Sequence, residues 1–472
     1  MHRRTKVLVA GFLALSLIAA ACGNSGDDET TDDTTTTTTS AAPTTAAPDG
    51  DPDDTTTTDP APETDRNTFE PIEGIPGVSD TEISVAVLGL REGNPLGTCI
   101  LDCYTTGIQA YFDYQNSQGG VFGRDLVIGE VLDDQLFLNQ DRALEIIANE
   151  DSFVAFGATL GASGWGDLND AGVPLFNWGI QAPELEGRPY LFGHYGASCT
   201  TCPGRAIPYQ MQLADATKAV SLGYGSSPES RSCASTNAEA VDRFGDELGI
   251  ELVKVYDDLA FGLGNGVAPE VSEWISLGVD FVAACLDLNG MKTIAQELDR
   301  QNYRDQITMQ HPNTYDAPFV AEAGAIFDGD FVSPQFVPFE FSDDPQIVLY
   351  NEWVDQVDGP TAEQTMIGWI NATLFVDGLI ATGPLFDRPS LVNTINTTFT
   401  AHSANGLINP VDWTRQHVGA TPDDRVTNGF VNECFSIVQM QDGEFQTITE
   451  QPFLCWPNDD QSWSEPIETT FS

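Results

Sequence analysis

From Thr81 onward, short apolar runs rich in β-branched residues alternate with segments of helical spacing, and no other feature restricts the fold of this chain so tightly. Ile83–Leu88 reads as a strand, and Thr106–Gln115 carries apolar residues at 108, 111 and 112, a helical spacing. Strand Leu126–Leu132, helix Asn139–Asn149 with Asn139 as its N-cap, and strand Phe153–Phe156 follow, the last running into the glycine-rich loop Gly157–Trp165. Another strand covers Val173–Trp178. A second series begins after Pro203. It has helices at Ala206–Thr217, Ala238–Leu248, Val267–Leu277 and Met291–Gln301, and strands at Lys218–Leu222, Ile250–Val255, Asp280–Leu286 and Gln306–Met309. Strand and helix at this cadence predict parallel α/β sheets, arranged as two lobes in succession. Beyond Pro345 the pattern adds helices at Gln346–Val357, Gln364–Ile380 and around Leu391. A hairpin, Phe435–Met440 and Glu444–Thr449, turns at Gln441-Asp442-Gly443.

The N-terminus belongs to another class of sequence. His2, Arg3, Arg4 and Lys6 precede an apolar run from Val7 to Ala21, too short to span a bilayer comfortably, and residues 1–21 read as a signal peptide. Small residues up to Ala21 precede Cys22, as in a bacterial lipoprotein signal, so Cys22 is the expected lipidated N-terminus, with ordinary secretion as the alternative. Residues 22–72 hold fourteen threonines between Thr30 and Thr58 among Asp, Pro and Ala, and are expected to be a disordered linker because they offer too little apolar surface to offset ordering. The formal charge of -52, with nineteen Lys plus Arg, argues against nucleic acid or an anionic lipid surface as a partner.

Nine cysteines less Cys22 leave an even set, as expected of disulfides outside the cytoplasm. Local spacing suggests Cys99 with Cys103, Cys199 with Cys202, Cys233 with Cys285, and Cys434 with Cys455. Cys199-Thr-Thr-Cys202 is also open to a redox role or to half of a zinc site.

The helix end Asn116-Ser117-Gln118-Gly119-Gly120-Val121-Phe122-Gly123-Arg124 leads to a strand that closes on Asp133-Asp134-Gln135, and a later loop carries Pro183-Glu184-Leu185. These strings closely resemble the branched-chain amino-acid type of substrate-binding protein of ABC importers. The match covers about residues 80 to 450, specific in its first third and topological beyond it. The resemblance implies a type I periplasmic-binding-protein fold: two Rossmann-like lobes joined by a three-segment hinge, with ligand in the cleft at the C-terminal ends of the strands. By analogy the first lobe comprises 80–204 and 335–428, the second 205–334 and 429–456, and 457–472 form a tail. Hinge closure on a small-molecule ligand and delivery to an ABC permease are the expected actions, performed by a monomer without a cofactor.

Candidate ligand contacts lie on loops after strands. Arg91 or Glu92, after the first strand, are placed to meet a charged group or to be solvated. Ser163, with Thr159 and nearby N–H groups, suits a carboxylate where the family carries a Ser/Thr-rich loop. Gln181 stands where the family often has a small hydroxyl residue, and Trp165 and Trp178 either enclose ligand or fill loop core. In the second lobe the candidates are Ser232 on the loop after Leu222, Asp287, His311, Asn313 and Tyr315. Asp287 would pair with an ammonium or cap the following helix. The family's acidic residue for the amino group is not evident at His311-Pro312-Asn313, a departure from an α-amino-acid site.

Enzymatic readings find little support. Gly161-Ala162-Ser163-Gly164-Trp165 lacks the nucleophile-elbow spacing, and neither a P-loop nor a Gly-Xaa-Gly-Xaa-Xaa-Gly fingerprint follows a strand. With five His in all, metal chemistry is poorly supplied. The expectation is an extracytoplasmic solute-binding lipoprotein for an amino acid, amide or related organic acid. A sensory protein of the same fold and a secreted hydrolase are its rivals.

Overall fold

The computed structural model describes residues 66–198, 202–312, 315–419, 430, 432–458 and 462–472. The first series runs β1 (Glu82–Gly89), α1 (Leu101–Ser117), β2 (Asp125–Asp133), α2 (Asn139–Asn149), β3 (Ala155–Ala158), α3 (Trp165–Asp170), β4 (Leu175–Asn177), β5 (Ile180–Gln181), α4 (Ala182–Leu185), β6 (Leu191–Gly193) and β7 (Ala197–Ser198). The second runs α5 (Ala206–Leu213), β8 (Lys218–Tyr224), α6 (Pro228–Leu248), β9 (Glu251–Leu259), α7 (Ala268–Leu277), β10 (Phe281–Cys285), α8 (Leu288–Arg300), β11 (Thr308–His311), α9 (Ala317–Ala323) and β12 (Phe331–Val332). Then come α10 (Pro345–Gln356), α11 (Glu363–Thr382), α12 (Arg388–Thr398), β13 (Glu433–Phe435), β14 (Val438–Gln441), β15 (Glu444–Thr447), β16 (Phe453–Trp456) and β17 (Ile467–Thr469).

The first sheet has the order β2-β1-β3-β4-β6, all parallel. The second, β15-β14-β12-β11-β10-β8-β9, is parallel from β12 to β9 and takes the antiparallel hairpin β14–β15 at its edge. Each sheet therefore reverses its strand order once, between β1 and β3 in one lobe and between β8 and β10 in the other, and such reversals open a crevice at the strands' C-terminal ends. The chain passes between the lobes three times, after β7, after β12 and after α12, because α11 packs against α1 and β4 while β14 and β15 complete the second sheet. Residues 467–469 are not loose: β17 pairs with β16, whose other neighbour is β13.

Local chemistry explains the elements. In α1, Leu101, Tyr104, Ile108, Tyr111, Phe112 and Gln115 recur at three- and four-residue steps and are buried. The helix stops because Gly119 and Gly120 adopt φ of +97° and +70°, and a Cβ on Gly120 would stand 2.0 Å from the Arg124 carbonyl oxygen. Arg124, fully buried, then donates from Nε to Ser79 O (2.7 Å) and from Nη2 to Glu70 O (2.7 Å), so this residue is scaffold.

Helix α11 has the length and composition of a membrane span, but its surface is buried in the first lobe, which explains a helix apolar on nearly every side. It meets α1 closely at two glycines: a Cβ on Gly107 would lie 1.8 Å from Thr365 O, and one on Gly368 2.2 Å from Tyr104 O. Gly107→Ala is accordingly expected to force the helices apart and cost about 1–3 kcal/mol or more, read from the urea midpoint.

Several elements depart from the sequence reading. Asn139 is the first residue of α2 and not its cap; buried, it accepts the Gly164 N–H through Oδ1 (2.8 Å) and fixes the glycine-rich loop. Helix α6 begins ten residues earlier than the pattern suggested, because Ser227 caps it by accepting the Ser230 N–H and Pro228 occupies its first turn. Ser232 therefore lies on a helix and not on a loop. Strand β11 runs two residues further, to His311, which is fully buried.

Candidate functional site

The crevices of the two sheets face one pocket. Its wall in the first lobe is Leu96, Thr98 and Cys99 after β1, Trp178 after β4, and Ala362, Glu363 and Gln364 at the start of α11. Its wall in the second lobe is Asp287 and Leu288 after β10 and Tyr315 and Asp316 after β11. The space between the walls is about 490 Å³, open solvent included. At the rim the lobes approach closely, since a Cβ on Gly97 would be 3.5 Å from Asn289 Nδ2 of α8.

Each wall is held by identifiable bonds. Cys99 is joined to Cys103 in the first turn of α1, which pins the 96–99 loop, and Asn94 holds the same loop by donating to Thr98 O (2.6 Å) and accepting the Leu96 N–H (2.9 Å). Asp287 is the N-cap of α8: its Oδ1 accepts the Gly290 N–H (3.3 Å) and the Tyr224 hydroxyl. Burial, with Asp287 as acceptor, pushes the Tyr224 phenol far up, so it stays a donor. A side chain at 290 would collide with that pair, its Cβ standing 2.2 Å from the Tyr224 hydroxyl oxygen. Asp316 caps α9 by accepting the Phe319 N–H at Oδ1 (2.8 Å). The Tyr315 hydroxyl donates to Glu340 Oε2 (2.6 Å) and accepts the Phe339 N–H (2.7 Å), so the tyrosine presents its ring to the pocket while its polar end is engaged behind the wall. Burial, with Asp316 adding repulsion, pushes the Glu363 carboxyl up to about 7.

Of the residues singled out in the sequence, Asp287, Tyr315 and Trp178 stand on this wall. Asp287 is the N-cap of α8, the structural one of the two readings given for it. Asn313 lies outside the described residues. The others stand elsewhere. Arg91 is exposed and paired with Asp102 (Nε to Oδ1, 2.9 Å). Ser163 is exposed ahead of α3. Trp165 is buried, its Nε1 donating to Thr159 Oγ1 (3.1 Å), which donates on to Asn177 Oδ1 (3.2 Å), an arrangement of loop core. Gln181 sits in the two-stranded pairing of β5 with β7, and Ser232 in the second turn of α6. His311 bonds Asp330 Oδ2 through Nε2 (2.9 Å) inside the second lobe. Glu363 and Gln364 escaped the sequence reading because they open a helix of the first lobe contributed after the second crossover. Nothing local in Thr361-Ala362-Glu363-Gln364 marks the position as facing a cleft.

Three of the expected disulfides are present, Cys99–Cys103, Cys233–Cys285 and Cys434–Cys455. Cys199, of the fourth expected pair, lies outside the described residues.

Two parallel-sheet lobes joined by three crossovers, with a pocket between their switch points, define a type I two-lobed solute receptor. A sequence profile of the periplasmic binding protein family matches residues 82–444, and the chain belongs to that family. No curated protein sequence matches it. Among solved structures it is similar to a fatty acid ABC transporter substrate-binding protein from Thermomonospora curvata, at 16% identity and TM-score 0.59, over 83% of this chain and 95% of that one. It is also similar to a branched chain amino acid ABC transporter protein from Thermus thermophilus with bound valine, at 15% identity and TM-score 0.58, over 82% and 97%. A solute binding protein from R. palustris in complex with benzoate aligns at 19% identity and TM-score 0.57, over 78% and 95%. At these identities the likeness is one of fold; the fatty acid, valine and benzoate named for these three proteins share a carboxylate and differ in the rest of the molecule.

Proposed function

We propose that this protein captures a small polar solute between its lobes and delivers it to an ABC permease. The observation that carries this reading is the pocket itself, whose wall is shared between loops at the C-terminal ends of both sheets. A ligand touching both walls favours the closed arrangement by the difference in its contacts between open and closed states, and nothing more is required of a carrier. In this reading 80–204 with 335–428 and 205–334 with 429–456 are the two moving bodies. Cys22 carries lipid that holds a monomer to the outer face of the cell membrane through residues 23–65, since Arg66 and Glu70 already bond to the first lobe. Disulfides in both lobes are in keeping with an extracytoplasmic position.

A thermal-shift screen of the purified protein against amino acids, amides, ureas, amines and carboxylates tests the reading. A ligand at 100 times its dissociation constant is expected to stabilise the protein by about 2.7 kcal/mol. Absence of any saturable shift across such a panel, with tight binding of a partner protein to the unliganded chain, would overturn it.

A further inference from the structure

Resting on that reading, we propose that the solute is an organic cation without a carboxylate, an amine or guanidine, held by Asp287, Asp316, Glu363 and Gln364. Among the described residues the pocket wall carries three carboxylates and no Lys, Arg or His. Gln364 makes the demand specific. It is 5% exposed, it lines the pocket, and its Oε1 is buried without a hydrogen-bond partner among the described residues. A buried amide oxygen left in that state calls for a donor, which an N–H-rich ligand supplies and a carboxylate does not.

The two aspartates point the same way. Asp287 receives both of its hydrogen bonds at Oδ1, and Asp316 receives its helix N–H at Oδ1. Each Oδ2 makes no hydrogen bond within the described residues, which leaves one carboxylate oxygen per cap for a ligand.

The rival is an anion at the start of α11, where Ala362 provides no side-chain cap. A helix N-terminus offers about half a positive charge. Glu363 is the first residue of that helix and already places a carboxylate there, while Asp287 and Asp316 add two more across the gap. The two aspartates across the gap outweigh the half charge even where Glu363 holds its proton, and the pocket as a whole repels an anion. Trp178 and Tyr315 supply aromatic wall, to which a weakly hydrated cation is attracted, and the chain's charge of -52 concentrates cations around it.

Titration provides an independent check. Glu363 faces Asp316, Tyr315 and, behind that tyrosine, Glu340, with Asp287 also on the wall. None of these groups carries a positive charge. Burial, with Asp316 adding repulsion, pushes the Glu363 carboxyl up to about 7, so it exchanges a proton near neutral pH. A bound cation favours the ionised form, so binding releases a proton and affinity rises from about pH 6 to about pH 8.

The test is a thermal-shift and calorimetric titration of the intact protein with 1,4-diaminobutane, guanidinium, tetramethylammonium, valine, benzoate and acetamide, against potassium chloride at matched ionic strength. Saturable binding of an amine or guanidine beyond the salt control is expected, weakened at least about tenfold by Glu363→Gln and by Gln364→Leu. Binding of valine or benzoate with cations no better than potassium would overturn this inference and leave solute capture standing. Failure of every compound would count against both. Cation binding indifferent to both substitutions would place it outside the pocket and also overturn the inference.

Discussion

Asp330→Ala is expected to lower the unfolding free energy by about 3–5 kcal/mol, as buried charge pairs do when one partner is removed. Asp330 lies fully buried beneath the second sheet, where its Oδ1 accepts the Met309 N–H (2.8 Å) and its Oδ2 meets Arg304 Nη2 (2.7 Å) and His311 Nε2 (2.9 Å). Arg304 is itself 8% exposed and donates to Ile326 O (2.6 Å) and Ile307 O (2.7 Å), so its guanidinium cannot leave for water without breaking the turn before β11. Alanine strands that cation, the imidazole and a strand N–H together. Asp330→Asn keeps an acceptor for the Met309 N–H and should cost clearly less. Urea midpoints of the two variants check the order, and equal losses would show that charge is not what matters there.

A comparable loss, up to about 4 kcal/mol, is expected when Cys233 and Cys285 are both changed to serine, because their bridge closes a loop with a sequence separation of 52. The bridge ties the second turn of α6 to the last residue of β10, two residues before Asp287. Ligand affinity should suffer less than stability. Ser230 Oγ donates to Cys285 O (2.5 Å) and accepts the Tyr224 N–H (2.7 Å), holding the same junction without the sulfurs. Denaturant midpoints with and without reductant, set beside binding titrations of the same samples, separate the two effects. A collapse of binding at unchanged stability would reverse this assignment.

The alternation of runs was enough to read two parallel lobes, since a strand segment buried on both faces must be apolar, as β10 is throughout and β1 is from Val85 onward. Element ends were less legible because caps and tertiary bonds set them. Ser227 and Pro228 start α6 well before its apolar stripe, and the pull of Asp330 on His311 lies at the end of β11. In the pocket, Asp287 and Tyr315 were accessible to sequence reasoning because they follow strands directly. Glu363 and Gln364 were not, since they arrive from a distant part of the chain that folds back on the first lobe. Arg91 and Ser163 occupy loops of the expected kind and Trp165 opens α3, but Asp102 engages the first, the second is exposed ahead of α3, and Thr159 draws the third into packing.

Arg66, where the described chain begins, has a further consequence. It donates to Gln115 Oε1 (2.7 Å) and Gly120 O (2.6 Å), and its carbonyl accepts the Phe122 N–H (2.6 Å), all at the end of α1 and the entry to β2. That is the rear of the first lobe, at the opposite strand ends from the pocket. A pull transmitted along the upstream chain would reach the first lobe from behind its pocket face.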